Sequence, residues 1–487
     1  MDLRCWLWLA AIAAAALALR LFNLGGESLW FDEAASLHFS HHPLADPGNP
    51  PLYYLVLDLW TRAFGTSEVA LRSLSTLAGV ASVLAIFLLA RELFDQRTGL
   101  VAAALLAVLP GHVFYSQEAR QYAPVVLTGI LASLEWVRAT RTDLWRHWCA
   151  SALLCGVGFH LHYTGALVPA FLAVHALLEA RRARAFAALG LAAVLCLPGL
   201  ALRLAPSGPG GYAFWLERFS FEQLGDVANL WFGWILVTDG PILSNVGFGL
   251  MIMMAVGVAL GACAEELSSW RDGPPRPALF GLLYLLVPVA LFAAAAAVKP
   301  VWHPRYVLVA LPGAVLLFAR AVSRGRFAWR ALVTGCLVAV SAMSLATAPM
   351  RWHKGDWRAA AASIEAVERS SGGRGRVLLT RPFFDLPFGY YYRGSWPRYG
   401  YEFESCEQIQ RLADAARGET VVVIEGAGSN GDRYHTLARQ LVKAGGAGQL
   451  RNRIGMRIWA FGPGAQALDG IAVELAGGAF PRHSPCP

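Results

Sequence analysis

Trp30-Phe31-Asp32-Glu33, with Leu29 before it and Ala34 after it, follows an apolar run over residues 5–22. A run of that length meets the roughly 17 to 25 residues that a helix needs to cross a hydrocarbon core about 30 Å thick. The two adjacent carboxylates therefore fall at a membrane surface, framed by aromatic side chains. Further apolar segments occupy residues 68–90, 99–115, 122–137, 148–159, 164–178, 186–203, 242–261, 278–298, 306–322 and 331–348, which with the first make about eleven crossings. Of the 487 residues 56% are hydrophobic and 15% charged, and the mean hydropathy is +0.45. That balance excludes an ordinary soluble domain and implies an α-helical polytopic membrane protein.

A formal net charge of +8 is compatible with nucleic-acid binding, yet the excess arginines sit in short loops between apolar runs. With the N-terminus inside, the inner loops hold Arg91 and Arg97, then Arg138, Arg141 and Arg146, then Arg181, Arg182 and Arg184, then Arg271 and Arg276, and last Arg320, Arg324, Arg326 and Arg330. This is the positive-inside pattern, so no nucleic-acid partner is expected. It places Asp32 on the outer face of an inner, or plasma, membrane. Arg4 ahead of an alanine-rich run resembles a signal peptide, but the many spans beyond it favour an uncleaved first span.

Pro50-Pro51-Leu52-Tyr53-Tyr54 opens an interrupted apolar segment reaching Phe64, with Asp58 and Arg62 inside it. A helix that starts at tandem prolines and carries both charges is expected to lie along the interface. From about Met350 the apolar runs shorten and charge rises. Asp356 is placed to cap a helix with Trp357, Ala360, Ala361 and Ile364 on one face, and Tyr434, Leu437, Ala438 and Leu441 repeat that spacing. Strand-like runs occur at 377–380, 421–424 and 457–461, with glycine turns such as Gly372-Gly373 between elements. The expected division is a transmembrane domain over 1–349, whose first outer loop spans 23–67, and a soluble extracytoplasmic α/β domain over 350–487.

The eight cysteines carry no metal-site spacing. Cys5, Cys149, Cys155, Cys196, Cys263 and Cys336 fall in or beside apolar runs and read as small core residues. Cys406 and Cys486 lie in the polar tail, where a disulfide between them is an alternative if that tail faces an oxidising compartment.

Three clusters carry groups suited to chemistry. Asp32 and Glu33 are the candidate catalytic acids: partial exclusion of water by Trp30, Phe31 and the proline turn raises a carboxyl pKa and improves it as a base toward a hydroxyl. The plain reading of such a pair is a solvated span boundary. The second cluster is Tyr115-Ser116-Gln117-Glu118-Ala119-Arg120-Gln121-Tyr122, a short outer hairpin denser in polar groups than a crossing requires. Arg120 suits forked, charge-assisted binding of a lipid phosphate, and Glu118 suits orientation of an acceptor or a bound cation; a structural hairpin is the alternative. The third is Lys299-Pro300-Val301-Trp302-His303-Pro304-Arg305-Tyr306, whose cations either anchor a span in anionic lipid or clamp a phosphate leaving group. Arg305 is favoured for the clamp over Lys299. Arg72 stands as a further phosphate ligand or as a partner of Glu68 one turn earlier. Trp30, Tyr53, Tyr54, Tyr122, His162 and His303 are the expected lining of the substrate pocket. No metal is expected to be required, although Asp32, Glu33 and the imidazoles of His38, His41, His42, His160 and His162 leave a divalent cation open.

The order and spacing of these motifs resembles the GT-C fold family of lipid-phosphate-sugar dependent transferases. That group surrounds the dolichyl-phosphate-mannose protein mannosyltransferases and includes bacterial lipid A aminoarabinose and rhizobial galacturonosyl transferases. The resemblance rests on Leu29-Trp30-Phe31-Asp32-Glu33-Ala34, Asn49-Pro50-Pro51-Leu52-Tyr53-Tyr54, Phe64-Gly65-Thr66-Ser67 with Arg72, Tyr115 through Ala123, Arg305-Tyr306 followed by Leu311-Pro312, and Asp356-Trp357-Arg358. It is strongest over the first 180 residues. Relatives often place a histidine before the two prolines, where this chain has Asn49. The resemblance implies that Asp32 is the general base for in-line attack of an acceptor hydroxyl on an anomeric carbon, with inversion and release of polyprenyl phosphate. Its implied partners are a polyprenyl-phosphate-linked sugar, membrane lipid and an envelope acceptor, which is lipopolysaccharide, another glycan or a protein. Two other readings stay open: a polytopic secondary transporter or flippase, which concentrates polar groups at the midplane, and a diphosphate-dependent glycan ligase or polymerase, which calls for a divalent cation.

Overall fold

The computed structural model describes residues 2–46, 48–178, 182–204, 216–233, 277–324, 354–372, 374–400, 418–426, 448–453, 456–468 and 471–473, with positions 335 and 407. The chain forms two compact units, one from Met1–Leu24 with Phe39–Arg351 and one from Gly25–His38 with Trp352–Pro487. The spans expected over 242–261 and 331–348 lie outside the described residues apart from position 335. So do the 434–441 helix, Cys263, Cys336 and the Cys406–Cys486 pair, as well as Arg181, Arg271, Arg276, Arg326 and Arg330.

The first unit is helical. Five helical stretches among the described residues are long and apolar enough to cross a membrane: Leu3–Leu21, Glu68–Leu93, Arg182–Leu204, Pro277–Val298 and Pro304–Ser323. Their starts follow the local chemistry. Ser67 caps the Glu68–Leu93 helix by accepting from the Ala70 N–H at 3.3 Å, and Asp95 caps the Gln96–Val108 helix by accepting from the Thr98 N–H at 2.8 Å, each satisfying a donor that has no partner inside its own helix. The 13-residue helix Leu52–Phe64 follows Pro51, buries Tyr53, Tyr54, Leu57 and Thr61, and leaves Leu55, Leu59 and Phe64 exposed. Its two charges pair with each other, Arg62 donating to Asp58 at 2.7 Å.

The run expected as a single span over 99–115 is instead two helices, Gln96–Val108 and Pro110–Ser116, bent by 63°. Pro110 has no N–H for the Leu106 carbonyl, so the helical ladder opens there. Arg20, on the Leu3–Leu21 helix and fully buried, fills the gap. Its guanidinium donates to the Ala107 carbonyl at 3.0 Å and the Leu106 carbonyl at 3.3 Å, and lies 2.8 Å from the Nδ1 of His112. Gly79 permits this packing, since a Cβ there would collide with Ser116 and press on Arg20. After the helix Tyr122–Thr142 come the shorter helix Trp145–Leu161, a 3-10 turn at Tyr163–Ala166 and the ten-residue helix Leu167–Ala176.

The second unit contains a six-stranded mixed sheet. In chain order its strands are β1 Gly375–Leu379, β2 Arg398–Gly400, β3 Thr420–Gly426, β4 Gly448–Arg453, β5 Met456–Phe461 and β6 Ile471–Val473, arranged β2-β1-β3-β5-β4-β6. β1 runs parallel to β2 and β3, and the remaining pairs are antiparallel. The strand-like runs seen in the sequence coincide with β1, β3 and β5, except that Thr380 falls just beyond β1. The helix Trp357–Ser370 is capped by Asp356, which accepts from the Ala359 N–H at 3.2 Å. It buries Trp357, Ala360, Ala361, Ile364 and Val367 in one core with Val377, Leu379, Val422, Ile424 and Ile458.

Replacing Arg20 by Met keeps an apolar stem but strands the Leu106 and Ala107 carbonyls, a loss of about 2 kcal/mol. A lower thermal unfolding midpoint in detergent is expected. An unchanged midpoint would mean that other donors reach those carbonyls.

Candidate functional site

In the first unit the two arginine-bearing motifs converge on one aromatic ring. Arg120 stands on the hairpin between the Pro110–Ser116 and Tyr122–Thr142 helices, and Arg305 in the 3-10 turn Pro304–Ala310. Their guanidinium carbons lie 5.9 and 5.6 Å from the centroid of the Tyr122 ring, and Arg305 is also 5.5 Å from the ring of Tyr306. His162 completes the group, with its ring stacked 5.4 Å from Tyr306 and 5.6 Å from Tyr122. Arg120, Arg305, Tyr122 and His162 are all buried. Two cations over one ring in a poorly solvated place create a region where an anion is favoured, and guanidinium forks match the geometry of phosphate oxygens.

The backbone around this group is held by side chains of the Glu68–Leu93 helix. Ser75 donates to the Arg120 carbonyl at 2.8 Å and Thr76 to the Ser116 carbonyl at 3.0 Å. On the other side of the hairpin, the Gln117 amide donates to the Arg20 and Phe22 carbonyls at 3.1 and 2.9 Å. Glu118 is fully buried and its carbonyl accepts from the Arg120 N–H at 2.8 Å. His303 caps the 3-10 turn, its Nδ1 accepting from the Arg305 N–H at 3.2 Å, and so fixes where Arg305 starts.

A relay of polar side chains runs from the proline turn into the hairpin. The Asp46 carboxylate accepts from the Tyr54 hydroxyl at 2.5 Å and the Asn49 amide at 2.9 Å. The Gln121 amide donates in turn to the Asn49 side-chain oxygen at 2.9 Å. A carboxylate only accepts, so its presence dictates which way both amides point. Asn49, which departs from the usual histidine, is thus a working link between Tyr54 and Gln121. Tyr53 is buried beside Tyr54, with ring centroids 6.0 Å apart. Arg72 is buried and donates to the Leu24 carbonyl at 2.7 Å. Lys299 is exposed at the end of the Pro277–Val298 helix and takes no part in the paired-arginine group.

The second unit holds the two acids. Asp32 and Glu33 lie in the first turn of the helix Phe31–His41, where carboxylates complement the helix dipole. They are not equivalent. Glu33 is 0% exposed and Asp32 8%. Glu33 forms an ion pair with Lys354 at 3.0 Å and accepts from the Trp30 N–H at 3.4 Å, while the Asp32 carbonyl accepts from the Ser36 hydroxyl at 3.0 Å. The segment before them is held by tail residues: the Leu29 N–H donates to the Tyr391 hydroxyl at 2.7 Å, the Arg358 N–H to the Ser28 hydroxyl at 3.2 Å, and the Arg358 guanidinium to the Gly25 carbonyl at 3.2 Å. Phe31 packs on Phe383, centroids 4.8 Å apart.

Among the described residues no group of three or more His, Cys, Asp or Glu side chains is placed to hold a metal ion. Residues that sequence reasoning passed over are Asp46, Lys354 and Tyr391. Lys354 had a signal, standing two positions before the Asp356-Trp357-Arg358 motif.

Residues 48–202 match a family model described as dolichyl-phosphate-mannose-protein mannosyltransferase. The undecaprenyl phosphate-alpha-4-amino-4-deoxy-L-arabinose arabinosyl transferase of Pseudomonas aeruginosa is 28% identical over 259 residues, which cover 50% of this chain and 45% of that protein. A second such transferase from Pseudomonas fluorescens is 25% identical over 290 residues, covering 56% and 46%. The chain thus spans a little under half the length of the curated relatives it matches. Among solved structures, ArnT from Cupriavidus metallidurans in the apo state superposes with a TM-score of 0.64 at 13% identity, over 95% of this chain and 99% of that one. The same protein bound to undecaprenyl phosphate gives 0.62 at 14%, over 93% and 98%. The Archaeoglobus fulgidus oligosaccharyltransferase in the apo form gives 0.56 at 12%, over 93% and 74%. The chain has the fold of the GT-C transferases, and its sequence is similar to the aminoarabinose and protein mannosyl transferases, as its motifs implied.

Burial, and then the charges of Arg120 and Arg305, push the His162 imidazole down to about 3, so it is neutral at physiological pH. Above the unfolded value of about 6.5 neither state binds a proton there. Below it the unfolded chain takes up a proton that the folded chain refuses until about pH 3, so stability falls as pH drops through that window. His162→Phe is expected to flatten the fall in unfolding midpoint between pH 6.5 and pH 4; an unchanged slope would place the titration on another group.

Proposed function

We propose that the chain is an inverting glycosyltransferase that moves a sugar from a polyprenyl-phosphate donor to a hydroxyl of an envelope acceptor on the outer face of the inner membrane. The observation that carries this reading is the pair of buried guanidinium groups around Tyr122, with a neutral imidazole beside them. It is supported by the similarity to transferases named for undecaprenyl-phosphate-linked aminoarabinose and by the fold shared with an ArnT solved with undecaprenyl phosphate bound. The proposal includes about eleven crossings, an extracytoplasmic soluble α/β domain at the C-terminus, and an acceptor drawn from lipid A or other lipopolysaccharide, another glycan or a protein.

Asp32, the more exposed of the two acids, takes the proton from the acceptor hydroxyl. The freed oxygen attacks the anomeric carbon as the bond from that carbon to the phosphate oxygen breaks, and the electron pair leaves with polyprenyl phosphate. Arg120 and Arg305 hold the phosphate and meet the charge that develops on it, with Arg72 and Lys299 as outer cations. Glu118 orients the acceptor. Trp30, Tyr53, Tyr54, Tyr122, His162 and His303 line or support the pocket. With two arginines neutralising the leaving group, positioning and charge are what the protein has to supply. A bound metal is not part of the scheme.

Asp32→Asn is expected to reduce turnover by on the order of 10³-fold while the protein still purifies as a folded species; full activity would remove the base from residue 32. Arg120→Ala and Arg305→Ala are each expected to weaken use of the lipid donor by about 10- to 100-fold, the loss of a charge-assisted hydrogen bond, read as a rise in donor KM. Wild-type donor kinetics in both would move the phosphate site elsewhere. Activity is expected to survive EDTA, and abolition that Mg²⁺ or Mn²⁺ restores would call for a cation.

A further inference from the structure

The second unit joins fourteen residues near the start of the chain, Gly25–His38, to the C-terminal residues from Trp352 onward. The contacts that join them converge on the acid loop. Lys354 pairs with Glu33, Arg358 reaches Ser28 and Gly25, Tyr391 accepts from Leu29, and Phe383 packs on Phe31. Arg358 also lies over the ring of Tyr391, 5.7 Å from its centroid, so these two tail residues brace each other. Every backbone group from Gly25 to Trp30 that enters these bonds is therefore fixed by a side chain from the tail or by Glu33 itself.

The Lys354–Glu33 pair is the most buried of these contacts, with side-chain exposures of 9% and 0%. A carboxylate removed from water needs a fixed partner, because removal of one member of a buried pair leaves an uncompensated charge. Glu33 is also the immediate neighbour of Asp32. A shift of the Glu33 backbone therefore carries the backbone of Asp32 with it.

We infer that Lys354, Arg358, Phe383 and Tyr391 of the tail form the positioning frame of the acid loop, and that Lys354 is a positioning residue for the sugar-transfer step. By holding Glu33 as a buried carboxylate it fixes the first turn of the Phe31–His41 helix, and with it the backbone that carries Asp32. The inference rests on the reading of Asp32 as the general base. It gives the C-terminal unit a role in the chemistry, separate from any part in choosing the acceptor.

The full chain is purified in four variants beside the wild type: Lys354→Met, Glu33→Gln, the double replacement and Lys354→Arg. In thermal unfolding each single replacement of the pair by a neutral residue is expected to lower the midpoint by roughly 5 °C, with the double replacement recovering much of that loss. Strict additivity would overturn the pair as a unit. In turnover, with undecaprenyl-phosphate-linked 4-amino-4-deoxy-L-arabinose as donor and release of undecaprenyl phosphate as readout, Lys354→Met is expected to lose about 100-fold in kcat. Its donor KM should stay within about threefold. Lys354→Arg should retain most of the activity, and the double replacement should exceed Lys354→Met. A folded Lys354→Met enzyme with wild-type kcat, or a loss confined to KM, would overturn the positioning role. Failure of the wild type to release undecaprenyl phosphate would instead strike at the functional reading for that sugar, while the unfolding cycle still decides whether the pair exists.

Discussion

A guanidinium cannot be left alone in an apolar interior; of the five buried among the described residues of the first unit, Arg320 pairs with Asp95 and the other four organise the rest. Arg20, Arg72, Arg120 and Arg305 are each less than a tenth exposed. Removing such a charge from water costs several kcal/mol unless hydrogen bonds or partners replace the lost solvent. Two of the four are answered with backbone carbonyls: Arg20 with Leu106 and Ala107, Arg72 with Leu24. These ties join the end of the first helix to the Pro110 break and to the start of the Glu68–Leu93 helix. The other two are gathered over Tyr122, beside an imidazole that burial keeps neutral. One physical constraint thus yields both the clips that hold the hairpin and the cationic place that the hairpin presents.

The break at Pro110 shows how the two are connected. A straight helix through residues 99–115 would have its carbonyls satisfied within the span and would offer Arg20 nothing. The proline frees an acceptor, the chain bends by 63°, and the short helix Pro110–Ser116 leads directly into Gln117, which returns hydrogen bonds to the end of the first helix. Arg20 and Gln117 are reciprocal clips: each donates to carbonyls near the other's helix. The position of Arg120 follows from this, because Ser75 and Thr76 have only to hold a hairpin whose stem is already fastened.

The apolar runs, the helix after the tandem prolines, the capping Asp356 and the strand runs at β1, β3 and β5 were legible in the sequence because each depends on local period and local chemistry. The convergence of Arg120, Tyr122, His162 and Arg305 was legible only in part. Charge and aromatic content marked each motif separately, but nothing local says that residues 120, 162 and 305 share one ring system. Arg20 was hidden by its surroundings: inside an apolar run an arginine near the helix end reads as a flank charge, and its real partner is a carbonyl made available 86 residues later. The Asp46 relay was hidden for the same reason, since the value of Asn49 lies in its two neighbours and not in its own side chain.

The adjacency of Asp32 and Glu33 is a case where sequence proximity conceals a difference in physical state. On a helix, successive side chains diverge by about 100°, so neighbours in the chain meet different surroundings. Glu33 turns into the interior of the second unit and its charge is answered by Lys354, whereas Asp32 keeps what exposure the pair has. The acids belong to one packed unit and the paired arginines to another. Each set of charges is therefore answered inside its own unit: Glu33 by Lys354 in one, Arg20 and Arg72 by backbone carbonyls in the other.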